Sequence, residues 1–374
     1  MDFFGDGQRF GVNIQYVIEK EPRGTAGALK DASSVMSSQF IVLYGDTYLD
    51  VDLSRFSKFH NSSGAFATLF LHPNDHPYDS DLVEIDKNGS IQKILPYPHS
   101  KDLCAKNLVN AALYIISNEG FAENVPNEGV HDIAKNIFPQ LLEKKYKLSG
   151  YISPEYIKDM GTPDRLDMLE RDISNAIPKK LSWHEPRSAI FIDRDGTINK
   201  EIGHLNDPNK LELIDGASEA IKILNKAGLL AIVLTNQPVI ARGDLSYEGL
   251  QHIHNYLETL LGRKNAYLND IYFCPHHPDK GFKGEIKKLK RLCNCRKPNV
   301  GMIQSAIKDF NISLSSSWII GDSTCDIELG AKVGMKTILV LTGIAGTDGK
   351  YSAKPDFVMP SIYEAVKFII DQQS

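Results

Sequence analysis

Short apolar runs alternate with helix-forming segments throughout the second half of the chain. Runs rich in β-branched residues predict buried strands at 188–193 (SAIFID), 229–235 (LLAIVLT), 318–322 (WIIGD) and 336–341 (KTILVL). Segments with a helical period lie between and after them, at 217–228, 247–261, 301–311 and 326–334. Because alternating strands and helices are joined by right-handed crossovers, this order predicts a parallel, doubly wound α/β sheet.

The first half predicts a second α/β domain, and 374 residues are more than one domain usually needs. Strand-like runs lie at 13–19, 40–46, 66–72 and 108–117, with a hairpin at 82–95 that turns at Asn88-Gly89. The stretch 172–188 has two prolines and no periodicity. We therefore predict one domain at 1–178 and another at 179–374, both built on doubly wound, mainly parallel sheets.

Composition and charge exclude several classes of partner. The formal net charge of -5 gives no electrostatic reason for nucleic-acid binding. No apolar run approaches the ~18 residues needed to span a bilayer, and the first residues lack the pattern of a secretory signal. We expect a cytoplasmic protein that binds neither nucleic acid nor membrane, in which cysteines stay reduced.

Three of the five cysteines lie in one stretch, 274–298 (CPHHPDKGFKGEIKKLKRLCNCRKP), as Cys-x-His followed by Cys-x-Cys. One imidazole and three thiolates complete a tetrahedral zinc site and leave no position for water or substrate, which is typical of structural zinc. The expected ligands are Cys274, His276, Cys293 and Cys295. His277 is an alternative to His276, and ordinary reduced cysteines are the alternative to a metal site. The lysine-rich loop between the ligands is either a solvated face or an attraction for an anionic substrate.

Acidic and polar residues follow the predicted strands of the second half. Asp193 and Asp195 end the first strand, and residues two apart on an extended chain point the same way. Two such carboxylates are costly unless they share a cation or a proton. A helix cap followed by a turn is the alternative explanation. Thr235 ends the next strand and Lys297 follows the cysteines. Asp322 ends a later strand, and Asp326 follows it by one helical turn.

This order of residues resembles the four motifs of the haloacid dehalogenase-like phosphatases, over residues 187–371. The segments FIDRDGTIN, TNQ...ARG and CPHHP...CNCRKPNVGM are similar to the zinc-containing branch, which holds heptose-bisphosphate phosphatases and histidinol-phosphatases. The lysine-rich insertion and CPHHP favour the heptose enzymes, and histidinol-phosphatase is the alternative. The chain departs from that pattern at Pro238, Val239 and Ser323, which leaves the choice of substrate open.

The resemblance implies a role for each of these residues. Asp193 is expected to attack phosphorus and form an aspartyl phosphate, and Asp195 to act as general acid and then base. Mg²⁺ is expected between Asp193, the main-chain carbonyl of Asp195 and Asp322, while Thr235 and Lys297 hold the phosphoryl oxygens. Contacts with the sugar phosphate substrate are expected from Asn236, Gln237, Arg242 and Arg296.

The first half resembles the sugar-1-phosphate nucleotidyltransferases. The resemblance rests on the segment GTAGAL at 24–29, on Asp46 after a strand and on Asp159 in KDMGTPD; Ala112 stands where that family usually has glycine. It implies that Asp46 and Asp159 hold Mg²⁺ and that a nucleotide sugar binds here. The residues expected to approach the nucleotide are Gly24, Thr25 and Gly27.

That family also has a glycine-rich loop and a Pro-Lys pair that hold the triphosphate, and neither is found among residues 1–374. We therefore expect an incomplete and inactive guanylyltransferase-like domain. The alternatives are a truncated sequence, completion by another chain, and a non-catalytic role in nucleotide-sugar binding or assembly.

Overall fold

The computed structural model describes residues 2–100 and 102–372. The strands are β1 (Gln39–Leu43), β2 (Thr47–Asp50), β3 (Ala67–His72), β4 (Leu82–Ile85), β5 (Ile91–Leu95), β6 (Val109–Ser117), β7 (Leu148–Ile152), β8 (Tyr156–Asp159), β9 (Ala189–Ile192), β10 (Leu230–Asn236), β11 (Asp270–Cys274), β12 (Trp318–Gly321), β13 (Lys336–Val340) and β14 (Phe357–Met359). The α-helices are α1 (Gly24–Ala32), α2 (Leu53–Ser63), α3 (Phe121–Asn124), α4 (Phe138–Glu143), α5 (Pro163–Ser174), α6 (Ile177–Leu181), α7 (Ala217–Ala227), α8 (Pro238–Arg242), α9 (Tyr247–Gly262), α10 (Gly301–Phe310), α11 (Thr324–Val333) and α12 (Ile362–Asp371). Within the described ranges, none of these helices has the length and apolar character that crossing a membrane requires.

The second half forms the parallel sheet that the alternation predicts. Its strand order is β11-β10-β9-β12-β13-β14, and every neighbouring pair is parallel. The central strands β9 and β12 are buried along their whole length, as expected when helices cover both faces. Two edge strands were not predicted: β11, whose residues are mostly half-buried, and β14, which has only three residues.

The first half is also an α/β unit, but its strand directions differ from the expectation. The sheet runs β5-β4-β6-β3-β7, with β1 also paired to β6. In the described sheet β3 and β7 are parallel, whereas the other pairs are antiparallel. The predicted hairpin forms, because β4 and β5 are joined by a short turn that suits antiparallel pairing.

The prediction of a strand at 13–19 is wrong. In the described structure these residues have no strand assignment, and Tyr16, Val17 and Ile18 are exposed. A strand exists only where a neighbour supplies its hydrogen bonds, and β1, which pairs with β6, leaves its other edge open. Residues 13–19 therefore have the composition of a strand but no neighbouring strand with which to form one.

Helix α9 and strand β11 of the second half contact the first half through polar groups, of which Asn107 and Glu258 are buried. The main-chain N–H of Asn107 donates to Glu258 Oε2 at 3.2 Å, and Lys106 Nζ lies 3.2 Å from Asp270 Oδ1. Burial raises the pKa of Glu258 from 4.5 to about 7, although the nearby Lys106 acts in the opposite direction. The junction therefore contains a carboxyl group that prefers to be neutral.

Replacing Glu258 by glutamine should make the protein more stable at pH 8. Between pH 4.5 and about 7 the unfolded chain has lost the Glu258 proton while the folded chain keeps it, so wild-type stability falls as pH rises through this window. Above the window the buried carboxylate costs about 3 kcal/mol, which the amide avoids. Urea unfolding at pH 5 and pH 8 measures this. Glu248→Gln, an exposed change on the same helix, should lack the effect; an unchanged pH slope in Glu258→Gln would contradict the argument.

Candidate functional site

The carboxyl ends of β9, β10 and β12 bring the predicted residues of the second half to one edge of the sheet. Lys297 Nζ lies 2.7 Å from Asp193 Oδ1 and 2.7 Å from Asp326 Oδ1, and it donates to the main-chain oxygen of Leu234 at 2.7 Å. The ammonium group is buried, with 1% of the side chain exposed. One cation therefore joins the end of β9 to the first turn of α11.

Three carboxylates surround this lysine. One oxygen each from Asp193, Asp322 and Asp326 can be chosen so that all lie within 4.8 Å of one another. Burial, together with the charge of Asp326, raises the pKa of Asp193 well above its ordinary value, and burial raises the pKa of Asp322 to about 7. Burial acts to lower the pKa of Lys297, but the charges of Asp193 and Asp326 outweigh it and raise that pKa. With all three carboxylates ionised, the site would hold more negative than positive charge, which suits a divalent cation with oxygen ligands.

Two glycines allow the chain to pass close to Asp322. Gly196 has φ 80°, and Gly343 has φ 60°. A side chain on either glycine would overlap the carboxylate of Asp322. The N–H of Ile344 donates to Asp322 Oδ2 at 2.6 Å. The carboxylate of Asp322 is therefore enclosed between the turn after Asp195 and the loop after β13, and the loop also donates a hydrogen bond to it.

Asp195 is held by three donors. Arg194, which is fully buried, makes a bidentate pair with it through Nε and Nη2 at 2.8–3.1 Å. Asn199 Nδ2 donates at 2.9 Å and Gln237 Nε2 at 2.8 Å. Burial acts to raise the pKa of Asp195, but Arg194 and the hydrogen bonds outweigh it and hold that pKa below the ordinary value. Asp195 is therefore an ionised carboxylate in this arrangement.

The side chains of the two residues after Thr235 form hydrogen bonds with other residues of the protein. Asn236 brackets the backbone of Lys297: its Oδ1 accepts from Lys297 N at 3.0 Å, and its Nδ2 donates to Lys297 O at 3.2 Å. Gln237 is 2% exposed and also donates to Thr235 Oγ1 at 2.8 Å. The sequence predicts substrate contacts for Asn236 and Gln237. In the structure Asn236 instead supports Lys297, and Gln237 supports Asp195.

The three cysteines and one histidine of the loop form a compact cluster. His276 Nδ1 lies 3.7 Å from Cys274 Sγ and 3.3 Å from Cys295 Sγ, and the three sulfurs are 3.3–3.5 Å apart. Tetrahedral bonds of ~2.0–2.3 Å put ligand atoms roughly 3.5 Å apart, so the cluster fits one zinc ion. His277 lies outside it, and its Nδ1 accepts from Asp279 N at 3.2 Å. All five cysteines are free thiols.

The cluster fixes the segment that carries Lys297, which follows Cys295 by two residues. Arg296, the other predicted substrate contact here, donates from Nη1 to the main-chain oxygen of His276 at 3.1 Å. Arg242 lies at the end of α8, in contact with His204. The structure thus places Arg296 beside the cluster and Arg242 on the neighbouring helix.

In the first half, Asp46 and Asp159 lie together around Gly161. A Cβ on Gly161 would be 3.1 Å from Asp159 Oδ1 and 3.2 Å from Asp46 Oδ2. Asp159 is half-exposed and is paired with Arg165 at 2.8 Å. The two carboxylates are therefore neighbours in the structure, and the Mg²⁺ that the resemblance implies between them stays a prediction.

The predicted nucleotide contacts begin α1. The hydroxyl of Thr25 accepts from Ile133 N at 2.9 Å and donates to Asp132 at 3.2 Å. Gly24 has φ 77° beside the main chain of His131, and Gly27 packs against the side chain of Arg23. The Thr25 hydroxyl is therefore used to join α1 to the segment at 131–133.

Two residues of the site had no role in the sequence interpretation. Asp326 shares the Lys297 ammonium with Asp193, and Arg194 pairs with Asp195. The sequence shows Asp326 one helical turn after Asp322, but that spacing did not indicate its pairing with Lys297. Arg194 lies between two aspartates whose side chains point the other way along an extended chain, so its pairing with Asp195 could not be predicted from the sequence.

Comparisons with known proteins match a different family to each half of the chain. A nucleotidyl transferase family model matches residues 2–175, and a HAD-hydrolase-like model matches residues 294–365. D-glycero-beta-D-manno-heptose-1,7-bisphosphate 7-phosphatase of Escherichia coli K12 is 36% identical over 187 residues, which cover 50% of this chain and 95% of that protein. The corresponding D-glycero-D-manno-heptose enzyme of Chlorobaculum tepidum is 36% identical over 190 residues, covering 49% of this chain and 94% of the relative.

Among solved structures, D,D-heptose 1.7-bisphosphate phosphatase from B. bronchiseptica, complexed with magnesium and phosphate, is 26% identical with a TM-score of 0.44. The match covers 50% of this chain and 99% of the chain in that structure. The identity to the curated relatives extends over nearly their whole length. The chain therefore belongs to the HAD-like phosphomonoester hydrolases of the heptose-bisphosphate phosphatase family, with that domain in its second half and a nucleotidyl transferase domain in its first.

Proposed function

We propose that this chain removes the 7-phosphate of D-glycero-D-manno-heptose 1,7-bisphosphate through an aspartyl-phosphate intermediate. The observation that carries the proposal is the position of Lys297 Nζ, 2.7 Å from Asp193 Oδ1 at the carboxyl edge of the parallel sheet. A nucleophilic carboxylate beside a buried ammonium suits attack on a phosphoryl group, because the cation offsets the negative charge that the two reactants bring together.

The chemistry divides into two displacements. An oxygen of Asp193 forms a bond to phosphorus as the bond from phosphorus to the sugar oxygen breaks. For Asp195 to act as general acid on that leaving oxygen it must take up a proton as the substrate binds, because Arg194 and the hydrogen bonds keep it ionised in the free protein. Asp195 then takes a proton from water, whose oxygen attacks phosphorus and releases phosphate and Asp193. The three donors around Asp195 favour its ionised form, which the second displacement requires. Thr235 and Lys297 are proposed to hold the phosphoryl oxygens.

Mg²⁺ fits the carboxylate cluster by chemistry and spacing. Asp193 and Asp322, with the main-chain carbonyl of Asp195, are the proposed ligands. Asp326 is left out because both of its oxygens are engaged, Oδ1 by Lys297 and Oδ2 by the N–H of Ser323. When bound, the cation would neutralise the phosphoryl oxygens and the attacking carboxylate. Gly196 and Gly343 contribute by leaving room for the chain around Asp322.

The Cys/His cluster is proposed to hold a structural zinc ion. We expect about one zinc per chain after purification without chelators. Its removal should lower phosphatase activity, because the segment from Cys293 to Lys297 loses its anchor, and should leave the carboxylates of the Mg²⁺ site in place. Elemental analysis of wild type and of Cys295→Ser measures this, with Cys104→Ser, outside the cluster, as the matched control. Equal zinc contents in all three proteins would contradict the assignment.

The heptose substrate is favoured over histidinol phosphate by the domain pairing. Removing the 7-phosphate leaves a sugar 1-phosphate, the type of substrate that a sugar nucleotidyltransferase uses, whereas histidine synthesis has no nucleotide-sugar step. A phosphate-release assay with Mg²⁺ and each substrate tests the proposal. We expect a higher kcat/KM for heptose 1,7-bisphosphate; a preference for histidinol phosphate would select the alternative, and activity on neither would refute the phosphatase assignment.

The first half is proposed to be catalytically silent in residues 1–374 taken by themselves. We expect no pyrophosphate release from GTP with heptose or mannose 1-phosphate, because each missing donor to a phosphate oxygen can cost about 10²–10³ in rate. The glycine-rich loop and the Pro-Lys pair of the family are not among these residues. The phosphatase activity of the same preparation controls for folding. Robust pyrophosphate release would refute the expectation.

A further inference from the structure

The lysine-rich loop packs directly on α8. The N–H of Ile286 donates to the main-chain oxygen of Ala241 at 3.0 Å. Gly243, which ends α8 with φ 80°, lies so close to Gly284 that a side chain there would overlap the main-chain oxygen of Gly284. Leu289 is buried in the apolar cluster that includes Ala241. The loop is therefore an ordered wall beside the helix that begins directly after Gln237.

An aromatic ring of this loop gathers two cations. The guanidinium of Arg242 lies 4.6 Å from the ring centroid of Phe282, and Lys290 Nζ lies 4.4 Å from the same centroid. Both distances are within the range of cation–π attraction. The ring thus brings a cation of α8 and a cation of the loop next to each other.

The buried donors of these cations lack acceptors. The Lys290 side chain is 1% exposed. Among the described residues, neither Lys290 Nζ nor Arg242 Nε, both buried atoms, has a hydrogen-bond partner. The nearest carboxylate oxygen to Lys290 is Glu285 Oε2 at 3.8 Å, and this oxygen already accepts from the N–H groups of Gly281 and Phe282. Buried charged donors without acceptors are costly, so their presence indicates a binding partner.

Hydrogen bonds link this cluster to the segment that carries Lys297. Arg296, directly before Lys297, donates to the main-chain oxygen of His276, and the next residue, His277, donates from its N–H to the oxygen of Leu289 at 3.2 Å. Lys290 follows Leu289.

Arg242 ends the short helix α8, which begins directly after Gln237, and Gln237 contacts Asp195. The Phe282 ring contacts both Arg242 and Lys290, so the two cations lie one short helix, roughly 7–8 Å along its axis, from the phosphoryl site.

We propose that Arg242 and Lys290, positioned by Phe282, bind the phosphate group of the substrate that is not cleaved. The inference rests on the proposed function and assigns substrate selection to the insertion between the cysteines. Phe282 is 37% exposed, so its ring is the part of the cluster that can move aside and open Lys290 Nζ to the anion. Phe282 is a positioning residue, since it acts through the two cations.

The test compares two substrates of the same sugar, heptose 1,7-bisphosphate and heptose 7-phosphate. In Lys290→Met we expect KM for the bisphosphate to rise about tenfold, as loss of one charge-assisted contact implies. Both kcat and KM for the 7-phosphate should stay within about twofold of wild type, because this substrate has no second phosphate for Lys290 to contact. The kcat for the bisphosphate should also change little, since the contact is made equally in the ground and transition states. Lys290→Arg should restore the KM. Lys288→Met, an exposed change in the same loop, should match wild type.

The outcomes separate this inference from the function on which it rests. Wild-type hydrolysis of the bisphosphate with an unchanged KM in Lys290→Met overturns the inference alone. An equal rise in KM for both substrates also overturns it, because loop distortion would act without regard to the second phosphate. Absence of any phosphate release by wild type overturns the proposed function and this inference together. Phe282→Leu provides a second variant: it should raise KM for the bisphosphate alone, with wild-type zinc content.

Discussion

Asp193→Asn is expected to reduce phosphate release from heptose 1,7-bisphosphate by on the order of 10⁴-fold or more, the scale on which enzymes lose activity without their nucleophile. An amide oxygen carries no negative charge and cannot form the aspartyl phosphate. The change also removes one of the two carboxylates that share Lys297 Nζ. Initial rates of phosphate release with saturating Mg²⁺ measure the effect.

The fold of Asp193→Asn should persist, so that the loss can be assigned to chemistry. Asp193 is a buried carboxyl whose pKa burial raises, and the amide avoids that desolvation while its oxygen still accepts from Lys297. Asp371→Asn, an exposed change at the end of α12, is the matched control and should keep wild-type turnover. Undiminished turnover in Asp193→Asn with a native thermal transition would refute its role as nucleophile.

The positions of the site residues could be predicted where backbone geometry alone decides them. Asp193, Thr235 and Asp322 follow strands whose apolar, β-branched sequence is unambiguous, and parallel strands bring their carboxyl ends to one edge. The Cys-x-His and Cys-x-Cys pairs likewise have a spacing that suits few arrangements other than a metal site. These predictions needed only the direction of each strand.

The pairing of side chains could not be predicted in the same way. Arg194 lies between two aspartates and still turns to Asp195, and Asp326 pairs with Lys297 alongside Asp193. Such choices depend on which buried charge finds the nearest partner after the sheet has formed. The strand expected at 13–19 failed for a related reason, because its apolar residues specify a strand only when a neighbouring strand is present.

Lys297→Met is expected to lower kcat by about 10²–10³, the usual cost of losing one donor to the charge of a transition state. The methionine keeps the length and apolar character of the stem but removes the ammonium from Asp193, Asp326 and the oxygen of Leu234. Because two buried carboxylates then lose their shared cation, we also expect the free energy of unfolding to fall by about 3–5 kcal/mol. Phosphate-release kinetics and urea unfolding measure the two effects.

Magnesium distinguishes the two roles of Lys297. Added Mg²⁺ should recover part of the lost stability in Lys297→Met, because a bound cation replaces some of the missing positive charge, but it should not recover kcat, since the phosphoryl oxygens still lack their donor. Lys332→Met is the matched control: Lys332 is half-exposed and donates to Pro298 O at 3.4 Å, beside Lys297, so its loss should change neither quantity appreciably. Wild-type kcat in Lys297→Met would show that the ammonium only stabilises the carboxylates, and full recovery of kcat by Mg²⁺ would show that it acts as a replaceable charge. Either result would remove Lys297 from the proposed phosphoryl site and leave it as a structural ion-pair partner of Asp193 and Asp326.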